Sequence, residues 1–320
     1  MNEVAILLST YNGKLYLAEQ LDSIINQTFK NWNLYIRDDG SSDGTQEIIK
    51  KYVKIDSRII YFEKESKENL GVKKSFFSLL ESVDSQYYFF CDQDDFWMEN
   101  KVQDTLDFLK EHEGNGIPTC VHTDLRIVDK ELNEIYSSMI ESQQLEVNDS
   151  LTNLLVQNSV TGCTLALNNE LKKKLPKNVN IDKIIMHDWW IALVGSVFGK
   201  VVLLEKQTIL YRQHGNNEVG AQSLFSKLGK GYGLKQLIES IVKTLVQAKE
   251  LERTLNSGIP SKDKEEINRY LSLIDSNEIS SRKWLTHFKK KGKIRNFVFR
   301  LVVLFKKSAI RKLYFQILNN

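Results

Sequence analysis

Over its first 110 residues the chain alternates short apolar runs with amphipathic stretches of helical period, and few folds accept that pattern. Residues 3–9 read as a strand, Leu15–Ile25 as a helix and Trp32–Ile36 as a strand again. Thr45–Val53 has helical period, Ile59–Phe62 reads as a strand and Val72–Val83 as a helix. Tyr87–Cys91 then reads as a strand and Lys101–Leu109 as a helix. This alternation predicts an α/β fold with a mostly parallel sheet flanked by helices. Sheets of that kind bind ligands beyond the carboxyl ends of their strands. After Asp124 the pattern is less regular: residues 121–129, Gly162–Leu167, Val201–Leu204 and Ile209–Tyr211 are strand-like, and Trp189–Phe198 is helix-like. From Leu234 it is helical, over Leu234–Leu255 and Glu265–Ile274, and it ends in a basic tail. We therefore expect an α/β domain over 1–220 and a helical region over 221–320.

The polar clusters fall at the strand ends. Ser9-Thr10-Tyr11-Asn12 follows the first strand, residues 37–44 (RDDGSSDG) follow the second, and Asp92-Gln93-Asp94-Asp95 follows Tyr87–Cys91. Each alone has a local explanation, since Asp, Asn, Ser and Gly populate turns. In an extended segment Asp92 and Asp94 point to one side, where two carboxylates offer hard oxygen ligands to Mg²⁺ or Mn²⁺. An acidic turn capping the helix that starts near Lys101 is the alternative. A calcium loop of the EF-hand type does not fit, because Trp97 and Gln103 stand where its Gly and Glu belong. Carboxylates this close repel unless something positive sits among them.

Three cysteines without a CxxC pair argue against a disulfide framework or a zinc site. The start lacks a basic region followed by a long apolar one, so a cytoplasmic, reduced protein is expected. Charge is uneven along the chain. Residues 279–320 hold twelve Lys/Arg and no acid, so the first 278 residues carry 44 − 12 = 32 basic against 41 acidic side chains, a net of −9.

The order and spacing of residues 9–12, 37–45 (RDDGSSDGT) and 92–95 (DQDD) resemble the family 2 glycosyltransferases, which are inverting enzymes of the GT-A fold. The segments HDWW at 187–190 and YRQHGNN at 211–217 extend the likeness, and within the family it is to bacterial rhamnosyltransferases of cell-wall and capsular polysaccharide synthesis. The resemblance implies a nucleotide-sugar donor, dTDP-L-rhamnose with a UDP-hexose as the alternative, and Thr10 and Tyr11 beside the base. Asp39, alone or with Asp38, would accept a hydrogen bond from the base's imide N–H. Asp92 and Asp94 match the family's DXD motif, which holds Mg²⁺ or Mn²⁺ on the diphosphate. Asn69 and one of Lys73 or Lys74 would approach the donor, a looser match because an arginine common there is missing. Asp188 matches the position of the base. It also precedes a helix-like run, so an N-cap is the alternative reading, compatible with the base role, and His187 is a second base candidate by its ordinary pKa. Arg212 and His214 lie two apart and would meet the diphosphate or complete the metal shell, unless they simply line a surface strand end. Trp97, Trp189 and Trp190 are better read as core than as sugar platforms.

A sugar-nucleotide pyrophosphorylase would open with a Gly-rich, Arg-containing loop, which STYNGKLYL is not. A non-catalytic nucleotide-sugar-binding assembly subunit would be expected to lack the acidic motif or the base. The QxxRW segment and membrane spans of processive synthases are missing. No nucleic-acid partner is expected. The implied acceptor is a lipid-linked glycan. In the tail, Ile294, Phe297, Val298, Leu301, Val302, Leu304 and Phe305 fall largely on one helical stripe among basic residues. That pattern suits the anionic inner face of a membrane, with packing on the acidic body or at a homodimer contact as the alternative.

Overall fold

The computed structural model describes residues 3–63, 68–143, 149–214, 233–255, 258–274 and 284–318. By contact it divides into two units that interleave along the sequence. The first comprises Met1–Ser142, Val160–Lys174 and Gly199–Ala221, and the second Gln143–Ser159, Leu175–Phe198 and Gln222–Asn320. The boundary expected near residue 220 lies outside the described residues. The second unit takes in two segments, 143–159 and 175–198, that the sequence reading placed in the α/β domain.

In the first unit β1 (Val4–Thr10), β2 (Trp32–Asp38), β3 (Ile59–Tyr61) and β4 (Tyr87–Cys91) pair in parallel in the order β3-β2-β1-β4. Helices α1 (Leu17–Ile25), α2 (Thr45–Ile55) and α3 (Val72–Ser82) connect them. Val4–Leu8 is buried throughout, as a central strand covered on both faces must be. The register sets Thr10 beside Asp38 and Leu8 beside Cys91. Three loops therefore leave one edge of the sheet together.

Beyond β4 the sheet becomes mixed. The order continues with β8 (Ala166–Asn168), β6 (Thr119–Val128), β9 (Lys200–Arg212) and β5 (Phe96–Trp97), while β7 (Glu134–Tyr136) pairs with β6. Strand β8 runs antiparallel to both β4 and β6, β5 is antiparallel to β9, and β6 and β9 are parallel. The two strands expected at Val201–Leu204 and Ile209–Tyr211 are one, β9. The exposed Glu205 and Lys206 between them resemble a turn in sequence, but they lie where the β6 pairing shifts register. Gly162–Leu167 is a 3-10 turn (Gly162–Thr164) leading into β8 rather than one strand. Helix α4 (Lys101–Glu113) closes over the core and α5 (Met139–Ser142) and α7 (Asn169–Lys174) are short.

The second unit holds α6 (Leu151–Leu154), α8 (His187–Phe198), α9 (Leu234–Leu255), α10 (Ser261–Leu271), α11 (Lys293–Phe305) and α12 (Lys307–Leu318). Helix α8 is buried on nearly every side, as suits a helix apolar all round. Backbone N–H groups ahead of it donate to α9: Ile185 to Gln247 Oε1 at 2.8 Å and Asn180 to Glu250 Oε1 at 2.6 Å. The helix expected over Glu265–Ile274 begins at Ser261 and ends in a 3-10 turn, Ser272–Ile274.

Candidate active site

The loops after β1 and β2 are stitched together by side chains of the kind that also make turns. The Asn12 N–H donates to Ser41 Oγ at 2.8 Å, the Ser42 N–H to Asn12 Oδ1 at 3.0 Å, and the Gly13 N–H to Thr45 Oγ1 at 2.9 Å. Asp38 accepts from the Ser41 hydroxyl, the Ser41 N–H and Gln46 Nε2, so it shapes its own turn. The left-handed φ of Gly40 (+83°) and Gly44 (+99°) explains glycine at both ends of that turn. Turn chemistry and a ligand site are thus compatible here.

Asp39 is buried and heavily solvated by protein. Its Oδ1 accepts from Arg37, from Ser75 Oγ at 3.0 Å and from the Leu70 N–H at 2.8 Å; Oδ2 accepts from the Gly71 N–H at 2.8 Å. Burial alone would push its pKa up, but these donors outweigh it and hold the carboxyl below its ordinary value. Oδ2 retains room for one further donor. Asn69 is exposed next to this pair, with Oδ1 accepting from Gly71 at 3.1 Å, and Lys73 (half-buried) and Lys74 (exposed) sit in the first turn of α3.

Gln93 joins the first loop to the acidic one. Its Oε1 accepts from Thr10 Oγ1 at 2.5 Å and the Tyr11 N–H at 2.8 Å, and its Nε2 donates to Tyr11 O at 3.1 Å. A Cβ on Gly13 would strike that carboxamide, so a side chain there would have to displace Gln93 from Thr10. The Tyr11 side chain is half exposed, at 50%.

The acidic segment between β4 and β5 is bent, so the alternation of an extended strand does not apply to it. Asp92 lies with Asp95 and Cys163, their ligand atoms within 4.8 Å of one another. Asp94 turns to His214, whose Nε2 is 2.8 Å from Asp94 Oδ2. The positive group among these carboxylates is Arg212. Its Nε donates to Asp94 O at 3.0 Å, its backbone N–H to Asp95 Oδ1 at 3.3 Å, and its guanidinium to Lys130 O and to Glu19 Oε2 at 2.6 Å. It also stacks 4.4 Å from the Tyr16 ring centroid. The guanidinium is buried, so the surface strand end weighed in the sequence does not apply to it. His214 lies past the end of β9, yet both residues converge on Asp94. Lys101, buried beneath the loop, donates to Thr208 Oγ1 at 3.4 Å, and burial draws its pKa down to about 8.

Donor chemistry decides which acidic grouping suits a divalent cation. Burial raises the Cys163 thiol, keeping it protonated, and a neutral thiol is a poor partner for an oxygen-seeking ion. Burial, then the charges of Asp94 and Asp92, raise Asp95. Asp92, Asp94 and His214 are each partly accessible and carry carboxylate oxygen and imidazole, donor types that suit Mg²⁺ or Mn²⁺, with Asp94 on His214 and Asp92 in the separate grouping with Asp95 and Cys163.

Asp188 belongs to the second unit. It is the second residue of α8, with Oδ1 accepting from the Trp189 N–H at 2.7 Å and Oδ2 from Asn158 Nδ2 at 3.4 Å. Because α8 begins at His187, Asp188 lies inside its first turn rather than at the N-cap the sequence suggested, where a carboxylate still suits the helix N-terminus. Burial lowers the pKa of His187 to about 3, which makes it a poor proton acceptor at neutral pH. Trp97 and Trp190 are core, and half-buried Trp189 donates Nε1 to Leu154 O at 2.7 Å. Asn216 and Asn217 lie outside the described residues. Sequence reasoning missed Gln93, Glu19, Cys163 and Lys101; only Gln93, inside a quoted motif, carried a signal.

Known proteins share both sequence and architecture with this chain. A dTDP-rhamnosyl transferase of Shigella flexneri, RfbG, is 29% identical over 71% of this chain and 78% of its own length. A putative teichuronic acid biosynthesis glycosyltransferase of Bacillus subtilis, TuaG, is 34% identical over 34% of this chain and 42% of its own. Among solved structures, S. aureus TarS 1-349 superposes with a TM-score of 0.59 at 16% identity, covering 98% of this chain and 89% of that one. The mannosyltransferase PcManGT of Pyrobaculum calidifontis, in complex with GDP-Man and Mn²⁺, gives 0.56 at 14% identity, covering 98% and 83%. These two structural likenesses establish the shared fold. The Glycosyl transferase family 2 profile matches residues 5–165, half of the chain, from within β1 through the acidic loop to the lead-in of β8, and the chain belongs to that family of enzymes.

Proposed function

We propose that this glycosyltransferase moves a sugar from a uracil or thymine nucleotide-sugar to a hydroxyl of a bacterial surface polysaccharide, with inversion. The observation that carries the nucleotide assignment is Asp39, an ionised, fixed carboxylate at the end of β2 with acceptor capacity left on Oδ2. An imide N–H, present in uracil and thymine, is a donor of the right kind for it. A UDP-hexose fits this chemistry, and a structure of TarS 1-349 in complex with UDP-GlcNAc has the same fold. The similarity to the Shigella dTDP-rhamnosyl transferase over most of both chains favours dTDP-L-rhamnose as a second reading. The polysaccharide acceptor, lipid-linked as the sequence reading has it, is supported by the teichuronic acid relative.

In the proposed reaction the acceptor oxygen bonds to the anomeric carbon while the bond to the diphosphate oxygen breaks, releasing the nucleoside diphosphate. The hydroxyl proton passes to the Asp188 carboxylate. Asp92, Asp94 and His214 would hold the cation, which supplies Lewis-acid neutralisation of the departing diphosphate. Arg212 and Gln93 fix the loop that carries those ligands.

The test is a panel of UDP-, dTDP- and GDP-sugars with Mg²⁺ or Mn²⁺, read by thermal stabilisation and by sugar release. Uracil or thymine nucleotides should stabilise the protein by roughly 2.7 kcal/mol at a hundred times Kd, with Asp39→Asn removing the preference. Equal protection by GDP-sugars, unaltered in Asp39→Asn, would overturn the assignment.

A further inference from the structure

Helix α11 carries two apolar faces, and only one is used by the protein. Phe299, Val302 and Val303 are buried against the rest of the second unit. Val302, which the sequence reading set on the tail's apolar stripe, therefore belongs to the core. On the other side Ile294 is 55% exposed, Phe297 62%, Leu304 42% and Phe305 75%, with half-buried Val298 and Leu301 between them. At 3.6 residues per turn these six side chains occupy a stripe about 120° wide. Lys293 and Arg300 border it on one side, and α12 adds exposed Arg311, Lys312 and Phe315. Exposed apolar side chains in a continuous stripe, rimmed by one sign of charge, mark an interaction surface.

We infer that this face of α11, extended by α12, lies in the interface of an anionic lipid membrane. Charge selects the occupant. Residues 279–320 contain twelve Lys/Arg and no acidic residue, so pairing the stripe with its own copy would press like charges together. Anionic lipid complements them, and each basic residue near such a surface raises partition about fivefold. The stripe itself suits immersion at the headgroup boundary, where amphipathic helices lie flat. Among the described residues no helix is long and apolar enough to cross a membrane, so the helix lies in the surface rather than through it. The basic side chains reach outward to phosphates while their stems cover the apolar rim.

This inference uses no residue of the catalytic site, so it and the transferase assignment can fail separately. The full chain is sedimented with vesicles of phosphatidylcholine alone and of phosphatidylcholine with phosphatidylglycerol. Binding to the anionic vesicles only, weakening as salt is added, is the expected result. Phe297→Asp with Phe305→Asp should lower that binding by about tenfold or more while leaving the melting temperature near that of the parent. Should the double variant unfold, Phe305→Cys bearing an environment-sensitive dye replaces it, the three native cysteines being buried. The dye emission should shift to the blue on anionic vesicles and stay fixed on zwitterionic ones. Equal binding to both vesicles, an unmoved dye, or a dimer that the Asp variants dissociate without any vesicle binding would each overturn the proposal.

Discussion

Replacing Arg212 with methionine separates two jobs the guanidinium could perform, supporting the acidic loop or touching the donor. Methionine keeps much of the volume and stem but removes every side-chain donor. The acceptors that lose their partner include Asp94 O, Lys130 O and Glu19 Oε2. Glu19 is 55% exposed and Lys130 is exposed, so water replaces their bonds at little cost. The Asp94 carbonyl lies under the loop, and losing its donor costs about 1–3 kcal/mol. The Tyr16 stacking adds up to about 1 kcal/mol, and relief from burying a cation offsets part of the total. We expect a net loss of about 2 kcal/mol, read as a lower urea midpoint at unchanged slope. Because Asp94 hangs on the same loop, Mn²⁺ affinity followed by paramagnetic resonance should fall about tenfold. Arg212→Lys should behave almost as badly, since an ammonium cannot reproduce the fork. Native stability and Mn²⁺ binding, combined with weakened donor binding, would refute the supporting role and return the guanidinium to the diphosphate.

Asp188→Asn should keep its fold and donor binding while transfer falls by about 10²–10⁴; a lower melting temperature with unchanged turnover would make Asp188 only a stabilising charge in the first turn of α8. Asp94→Asn and Asp92→Asn should lose orders of magnitude in transfer, and near-native turnover of either in excess EDTA would exclude the cation role. The Asp39 carboxyl is held below its ordinary value of 3.8, so the folded state favours its ionised form. Its contribution is therefore complete above about pH 4 and lost as the pH falls through the lowered folded value. Unfolding measured from pH 6 to pH 3 should show a steeper acid loss in the parent than in Asp39→Asn, and parallel curves would contradict that.

The strands β1 to β4 and the helices between them were legible because each buries an uninterrupted apolar face, which writes its period into the sequence. Strand β9 was not, since Glu205 and Lys206 face water at a register shift and imitate a turn. Strand β5 is only two residues long and β7 is exposed at all three of its residues, so neither buries an apolar face that could mark it. At the site, the loops were legible by composition and order, but their wiring was not. Gln93 reaches Thr10 across 83 residues and Arg212 reaches Glu19 across 193, distances over which no local pattern operates. The expectation that Asp92 and Asp94 share a side assumed an extended backbone. The bend after β4 sends them to different partners.

The interleaving of the two units has a consequence for how the chain is made. Helix α8 leaves the ribosome with apolar side chains on nearly every side, while α9, which meets its lead-in through Gln247 and Glu250, begins 36 residues later (234 − 198). At synthesis rates of about 5–20 residues per second that gap lasts roughly 2 to 7 seconds. Among the described residues of the same unit, helix α6 and the 3-10 turn Ile181–Lys183 have been made by then. The nascent chain thus passes through an interval in which the segment leading into α8 lacks the two side-chain acceptors that later hold its backbone. Stalled chains ending at residue 220 should yield the 180–185 segment to protease and those ending well past 255 should shield it; equal resistance would mean that this segment is held without α9.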